Sequence, residues 1–250
     1  MIAISTLVKR YGSFTAVDGI TLDVQPGEIH GFLGPNGAGK TTTLRMIAGL
    51  LAPTSGQIVV NGHDMSREPE LAKRALGFIP DRPFIYEKLT AGEFLRFHGG
   101  LYGVEGELLQ TRVHEMLELF ELRRWEHELV ESFSHGMKQR LVMCAAFLHR
   151  PAAVAVDEPM VGLDPRGARL IKDVFRRMSE RGVAILMSTH TLEVAQEMCQ
   201  RISIILKGRI IAHGTVDDVR AQAGGSDEHL TSVFLKLTGG SALQEIDEII

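Results

Sequence analysis

Short apolar runs bounded by glycine, proline or charged residues occur in the first and last thirds of the chain, and they predict buried strands. The predicted strands lie at 2–8, at 20–34 with a turn at Gln25-Pro26-Gly27, near 57–61 and 75–80, in AAVAVDE, in GVAILMSTH and near 202–213. Predicted helices at about 39–50, 167–180 and 191–199 separate several of these strands. The pattern therefore predicts a mixed α/β core.

The middle of the chain has a different pattern, with apolar residues at helical spacing from about 88 to 150 in AGEFLRFHGGLYG, TRVHEMLELFEL and GMKQRLVMCAAFLHR. We expect a discontinuous core from residues 1–82 and 151–214, with a helical subdomain at 83–150 inserted into it. The tail at 215–250, including EHLTSVFLKLTGG, is predicted to form a helical extension.

The composition of the chain disfavours several classes of protein. The net charge of −4 disfavours a dedicated nucleic-acid binder, which usually carries a basic excess. The two cysteines have no metal-binding spacing and are too few for a disulfide framework. The chain has no cleavable-signal pattern at MIAISTLVKRYG and no apolar run of roughly 18–20 residues, so we expect a cytoplasmic protein.

The strongest motif is GPNGAGKTT, which follows a predicted strand and begins a predicted helix. Its residues are Gly34, Pro35, Asn36, Gly37, Ala38, Gly39, Lys40, Thr41 and Thr42. Glycines let backbone N–H groups wrap a phosphate chain, a lysine reaches the β- and γ-phosphates, and the hydroxyl that follows can ligate Mg²⁺. The alternative is a glycine-rich turn before a helix, and few such turns match the whole pattern. The motif therefore predicts a nucleotide site.

Four more positions are candidates for the same site. Asp157 and Glu158 end the strand VAVDE, where ligands meet parallel sheets, and they can serve as a Mg²⁺ partner and a general base. Adjacent acids at a strand end are usually only a solvated loop when seen alone. His190, which ends the next strand, and Tyr11, whose ring can stack on a base, are by themselves more often structural.

A second possible anion site lies in SFSHGMKQR, residues 132–140. A serine and a glycine begin a predicted helix whose first turns carry Lys138 and Arg140, and free N–H groups at a helix start favour anions. Further on, Asp164 in VGLDP precedes a proline and alone indicates an ordinary turn.

In this order, the motifs resemble those of ABC transporter ATP-binding subunits across roughly residues 2–213. The resemblance implies a P-loop NTPase with a RecA-like core, an antiparallel β layer and an inserted α-helical subdomain, using ATP and Mg²⁺. It implies that Tyr11 stacks on adenine, Asp157 assists Mg²⁺ and Glu158 is the catalytic base. It also implies that His190 senses the γ-phosphate and that Asp164 lies at a dimer interface.

SFSHGMKQR resembles the signature motif of this family. The resemblance implies that two ATP-binding subunits pack head to tail, and that Ser134 and Gly136 contact the nucleotide bound to the other subunit. Whether the two subunits are identical is left open. ATP hydrolysis would drive a separate transmembrane permease, and binding to that permease would hold the protein at the inner face of the cell membrane.

The chain departs from the family pattern at three positions. His135 replaces the first glycine of the signature pair, and Met137 replaces its glutamine. In LGFIPDRPFIYEKLT, Asp81 stands where the family has glutamine. Aspartate can bind Mg²⁺ through water but is one methylene shorter, and whether Asp81 keeps the role of that glutamine is left open. These departures and the ending VFLKLTGG resemble bacterial Ecs-type and ABC-2-type export ATPases. The alternatives are a soluble ABC-type ATPase that acts outside transport and a nucleotide-dependent regulator with little hydrolysis.

The segment 81–90 also predicts where a permease would dock. Phe84, Ile85 and Tyr86 form an apolar group there, and an exposed apolar patch marks an interaction surface. The competing interpretation is that these side chains pack between the core and the helical insertion.

Overall fold

The computed structural model describes residues 1–222 and 234–235. The strands are β1 Ile2–Tyr11, β2 Phe14–Val24, β3 Ile29–Leu33, β4 Ser55–Val60, β5 His63–Asp64, β6 Leu76–Ile79, β7 Ala153–Asp157, β8 Ala184–Thr189, β9 Arg201–Leu206 and β10 Arg209–Gly214. An antiparallel sheet has the order β2-β1-β4-β5, and a second sheet has the order β10-β9-β3-β8-β7-β6. In the second sheet β9, β3, β8, β7 and β6 are parallel, and β10 pairs antiparallel with β9.

The helices are α1 Lys40–Ile47, α2 Pro69–Arg74, α3 Ala91–Leu101, α4 Gly106–Leu119, α5 His135–Leu148, α6 Pro165–Glu180, α7 Leu192–Met198 and α8 Val216–Gln222. Two 3₁₀ turns, Arg123–Trp125 and Val130–Ser132, lie between α4 and α5. Side chains define several helix starts: Thr90 and Glu93 form a capping box at α3, and Asp164 caps α6 before Pro165. Nowhere in the described part of the chain is a helix both long and apolar enough to cross a membrane.

The parallel strands are buried on both faces, which explains their continuous apolar sequences. Successive side chains point to opposite faces, so Leu33 and Val154 join an apolar cluster with the helices α3 to α7. Their neighbours Phe32 and Ala155 join a second cluster with α1 and the antiparallel sheet. The central strands therefore lie between a helical layer on one side and α1 with the antiparallel sheet on the other.

The apolar pattern located most elements but missed some short ones. The predicted segment 20–34 forms β2 and β3 with the turn at the predicted place, closed by a hydrogen bond from the Glu28 amide to the Gln25 carbonyl, 3.1 Å, but β2 begins earlier, at Phe14. The two-residue strand β5 and the short, charged helix α2 carry too few apolar positions to give a period. In the predicted C-terminal extension the structure describes α8, whereas most of EHLTSVFLKLTGG lies outside the described residues.

A buried chain of polar side chains joins β9 and β10 to β3. The Arg201 guanidinium is donor-only and contacts His213 Nε2 at 2.8 Å, so His213 must donate from Nδ1 to Ser203 Oγ, also at 2.8 Å. The serine hydroxyl then donates to His30 Nε2 at 2.9 Å, and His30 Nδ1 donates to Glu28 at 2.9 Å. In this arrangement each link has one donor and one acceptor, so these polar side chains satisfy one another within the sheet.

Acidification should destabilise the protein through His149, which follows α5. Burial lowers the pKa of His149 to about 4, while its ring stacks on Tyr102 and contacts the Leu76 carbonyl at 3.2 Å. An unfolded histidine titrates near pH 6.5, so the unfolded state binds more protons than the native state between about pH 6.5 and 4. We expect the free energy of unfolding to fall by about 1–2 kcal/mol from this residue between pH 7.5 and 5.

Urea unfolding of the wild type and of His149→Gln at both pH values measures this contribution. Glutamine keeps an N–H donor for the Leu76 carbonyl but does not titrate. The variant should lose less stability on acidification than the wild type. Equal losses in the two proteins would exclude His149 as the titrating group.

Candidate functional site

The loop between β3 and α1 is held so close to its neighbours that two positions require glycine. A Cβ atom on Gly34 would lie 2.4 Å from the Ile205 carbonyl oxygen, and one on Gly39 would lie 2.7 Å from the Ala16 carbonyl oxygen. Gly39 also has a φ of 112°, which L side chains rarely adopt. The loop is therefore seated directly on β9 and β2, and its N–H groups are available at the start of α1.

Lys40 is the first residue of α1, and its side chain turns back into the loop. Its Nζ atom donates to the carbonyl oxygens of Gly34, 2.7 Å, and Pro35, 3.3 Å. Burial lowers the pKa of the Lys40 ammonium, and the carboxylates of Glu158 and Asp157 oppose this shift. The loop thus places a buried cation beside the N–H groups at the start of α1, and this combination suits a phosphate group.

Beside the loop lies an open cleft of about 340 Å³. Most of the residues predicted from the sequence line it: Tyr11, Pro35, Asn36, Gly37, Gly39, Lys40, Thr41, Thr42, Asp81, Asp157 and Glu158. Gly34 and Ala38 belong to the loop but do not line the cleft, and the buried Ala38 accepts a hydrogen bond from the Gly208 amide at 2.9 Å.

Sequence reasoning missed two residues of this cleft, Phe14 and Ala16. Phe14 pairs with Tyr11 across the β1–β2 hairpin, so both rings lie on the same face of the ribbon. The KRYGSFTAV stretch contains both aromatics, and a hairpin prediction with the correct register would have identified Phe14.

Asp157 ends β7 and is buried at the floor of the cleft. Its Oδ1 atom accepts a hydrogen bond from the hydroxyl of Ser188, its register partner on β8. Ser188 was not among the predicted site residues. Its position two residues before His190 on a strand predicted to neighbour β7 was the available signal. This bond orients one carboxylate oxygen and leaves the other for a ligand.

Glu158 adopts a positive φ of 48°, which is unusual for a residue other than glycine. Its amide donates to the Ser188 carbonyl at 3.2 Å, which helps to hold this backbone. The Glu158 carboxylate lies 2.8 Å from Nδ1 of His190, so the histidine contacts the predicted base directly. His190 itself does not line the cleft. Thr191 is at the start of α7 but makes no side-chain capping bond.

Ser134, Gly136 and Asp164 lie away from this cleft. Ser134 caps α5 by accepting from the Met137 amide at 3.3 Å, and Asp164 caps α6 by accepting from the Gly167 amide at 2.9 Å. The structure therefore separates the second predicted anion site from the first within one chain.

The positive charges predicted near the start of α5 are largely engaged inside the chain. Lys138 donates to Glu87 at 2.5 Å, and Arg140 donates to the Phe120 carbonyl at 3.2 Å and to the Gly136 carbonyl at 3.4 Å. The exposed hydroxyl and N–H groups of the first turn are the remaining anion-binding groups.

Comparison with known proteins identifies relatives of the chain. A family model described as ABC transporter matches residues 17–161. The ABC-type transporter ATP-binding protein EcsA of Bacillus subtilis (strain 168) is 33% identical over 98% of this chain and 99% of its own length. The probable multidrug ABC transporter ATP-binding protein YbhF of Escherichia coli (strain K12) is 38% identical over 89% of this chain, which spans only 38% of that relative.

A solved structure described as the ATP binding subunit of an ABC transporter has the same fold. It superposes with a TM-score of 0.90 and 34% sequence identity, covering 95% of this chain and 99% of that chain.

Replacing Ser188 by alanine should destabilise the protein because it removes the hydroxyl donor of the buried Asp157. A buried carboxylate left without a donor costs about 1–3 kcal/mol, so Ser188→Ala should lower the free energy of unfolding by that amount. Ser179→Ala is the matched control, because the Ser179 hydroxyl donates at 2.6 Å to the neutral carbonyl of Gly27. Urea unfolding at pH 7.5 should give the larger loss for Ser188→Ala, and the reverse order would contradict this account.

Proposed function

The chain belongs to the ABC transporter family, and we propose that it binds and hydrolyses ATP to power a separate membrane permease. One observation carries this proposal: a single cleft contains a phosphate-binding type of loop with its buried lysine, a buried aspartate and a glutamate in contact with a histidine. The full-length match to EcsA supports the subunit type, since that relative is named a transporter ATP-binding protein.

The loop would bind the phosphates of ATP through its backbone N–H groups and Lys40. In the structure the Lys40 ammonium is bound to two loop carbonyls, and phosphate oxygens would replace these as partners. Tyr11, half-exposed at the edge of the cleft, would stack on the adenine. The nucleotide would thus extend from α1 to the β1–β2 hairpin.

The oxygen donors of the cleft fit Mg²⁺. Thr41, Asp81 and Asp157 all line it, and a magnesium ion is usually held by one or two carboxylates together with phosphate oxygens and water. Bound there, Mg²⁺ would neutralise charge on the β- and γ-phosphates. Thr41 and Asp157 would hold it, and Asp81, one methylene shorter than the family's glutamine, would act through water.

Hydrolysis would depend on Glu158, whose carboxylate faces the cleft. Glu158 would orient the attacking water and accept its proton as general base. His190 Nδ1, 2.8 Å from that carboxylate, would hold it in position and lie close to the γ-phosphate. The bond from Ser188 would keep Asp157 oriented beside it.

A second ATP-binding subunit would complete each site. Ser134 and Asp164 are exposed and lie away from the cleft of their own chain, which supports a role toward a partner packed head to tail. Ser134 and the first-turn N–H groups of α5, including the backbone at Gly136, would contact the γ-phosphate of the partner's ATP. Binding would close the dimer, and loss of that phosphate would allow it to reopen.

The permease would dock on exposed aromatic side chains beside α3. Phe84 and Tyr86 are 85% and 59% exposed, and Tyr86 contacts the exposed Phe97 edge-on with the ring centroids 5.5 Å apart. Ile85, in contrast, packs against the apolar core. Of the three apolar residues predicted to form a docking patch, two are therefore exposed and one is packed inside the chain. Docking there would place the chain at the inner face of the cell membrane.

Glu158→Gln should abolish hydrolysis while preserving ATP binding. Glutamine keeps the shape of the side chain but cannot accept the proton from water, so we expect the ATPase rate to fall by about 10²-fold or more. The trapped nucleotide should stabilise an ATP-dependent dimer, which size-exclusion chromatography with Mg²⁺ and ATP would detect. Glu193→Gln, a change in the first turn of α7, is the control for loss of a surface charge.

If Glu158→Gln neither slowed hydrolysis nor trapped a dimer, the proposal that this chain hydrolyses ATP to power a permease would fail. A wild-type chain that binds ATP with no measurable turnover would favour the nucleotide-dependent regulator instead.

Tyr86→Asp should uncouple transport from hydrolysis, because a charge in the centre of the apolar patch would oppose docking. With the cognate permease in vesicles, transport should fall by about tenfold or more, while the basal ATPase of the isolated chain should stay within about twofold of wild type. Leu50→Asp changes another exposed apolar residue, 67% exposed and distant in sequence, and should affect neither. Unchanged transport by Tyr86→Asp would exclude this docking surface.

A further inference from the structure

The side chain of His135 lies directly against Gly162. A Cβ atom added to Gly162 would come within 2.5 Å of Cδ2 and 2.9 Å of Nε2 of the histidine ring, which real Cβ contacts essentially never do. Gly162 also has a φ of +76°, so a side chain added there would adopt a disfavoured backbone conformation and would have to displace the ring. His135 stands where the signature pattern that this motif resembles has glycine.

The contact belongs to a larger junction between the first turn of α5 and the segment 161–164, which we call the GLD loop. On the α5 side, a Cβ atom on Gly136 would lie 3.6 Å from the Gly162 carbonyl oxygen and 3.6 Å from Leu163 Cδ2, which is ordinary packing contact. Leu163 itself packs against the apolar core. The GLD loop is thus held between the core and the start of α5.

A salt-bridge group joins α5 to α6, the helix that follows the GLD loop. Glu121 accepts from Arg166, on the first turn of α6, at 2.5 Å, and lies 3.8 Å from Arg140 on α5. All three side chains are partly or well exposed, so this group contributes little stability by itself. Glu121 nevertheless contacts both helices, through Arg140 on α5 and Arg166 on α6. The ring of His135 fills the space next to Gly162.

The GLD loop is connected to the catalytic glutamate by two consecutive turns. The Val161 amide donates to the Glu158 carbonyl at 3.2 Å, and the Leu163 amide donates to the Met160 carbonyl at 3.4 Å. A shift of Gly162 would therefore be transmitted over four residues to Glu158, whose positive φ makes its backbone sensitive to displacement.

We propose that His135 is a positioning residue: its ring holds the GLD loop against α5 and thereby fixes the backbone that carries Glu158. The expected effect on catalysis rests on the proposed function. The contact between His135 and Gly162 does not depend on it. We expect the ring to act by its shape, because its Cδ2 and Nε2 atoms are the atoms nearest to the Cβ position of Gly162. His135 therefore connects two segments: the start of α5, which would contact the partner's nucleotide, and the GLD loop, which leads to Glu158 at the chain's own nucleotide.

The test is a double-substitution cycle with a matched control for backbone strain. Gly162→Ala introduces both a disfavoured φ and a collision with the ring, whereas Gly103→Ala introduces the same strain at φ +72° with nothing within 4 Å. Gly162→Ala should lower kcat by about tenfold or more with KM for ATP within about twofold, because the loop lies outside the cleft. Gly103→Ala should keep kcat within about twofold of wild type.

Removing the ring should reverse the effect of the alanine. His135→Gly alone should lower kcat by roughly threefold, but in the Gly162→Ala background it should raise kcat by roughly threefold or more. His135→Phe, which keeps an aromatic ring and loses the ring nitrogens, should retain kcat within about twofold. A loss of activity in His135→Phe equal to that in His135→Gly would overturn the role of shape.

Unfolding measurements separate failure of this inference from failure of the proposed function. The midpoint denaturant concentration should fall more for Gly162→Ala than for Gly103→Ala, and His135→Gly should recover part of the difference whether or not the chain hydrolyses ATP. If stability recovers in the double variant but kcat does not, the contact is structural only and the positioning role is wrong. If neither recovers, the contact does not hold the loop.

Discussion

The site depends on the close approach of the β3–α1 loop to the backbones of β9 and β2. With Cβ positions at Gly34 and Gly39 blocked at 2.4 and 2.7 Å by the Ile205 and Ala16 carbonyls, the loop has no room for any side chain at either residue. This constraint presents the start of α1 toward the cleft and turns Lys40 into the loop. The Ala16 contact also fixes the position of the β1–β2 hairpin, and with it the aromatic edge of the cleft.

The parallel sheet supplies the opposite wall for a related reason. Because β3, β8 and β7 are parallel neighbours, their carboxyl ends meet at one edge, and Asp157, Glu158 and His190 lie there. Register then decides the contacts: Ser188 faces Asp157 across the ladder, and its backbone and hydroxyl hold the carboxylate and the strained Glu158. The geometry of these side chains is therefore a property of strand pairing, and the buried core on both faces keeps that pairing in place.

The proposed dimer role and the proposed His135 contact concern the same exposed junction. Ser134 and Asp164 each cap a helix through their side chains, so residues that would meet a partner also define where α5 and α6 begin. Helix starts that serve as a contact surface would need to be held in register with the loop that follows β7. The ring of His135 lies against Gly162 and so connects the start of α5 with that loop.

The sequence by itself determined the features that depend on local spacing. Glycine positions and a lysine after a strand predicted the phosphate loop, and apolar runs and periods predicted the main strands and helices, because these signals lie within a few residues of chain. Only the tertiary structure decided the rest. Phe14 joins Tyr11 through hairpin register, Ser188 meets Asp157 across two strands, and His135 meets Gly162 between two distant segments. The last two are contacts between residues far apart in sequence, so only packing creates them. Phe14 is close to Tyr11 along the chain, but the strand pairing is what places both rings on one face.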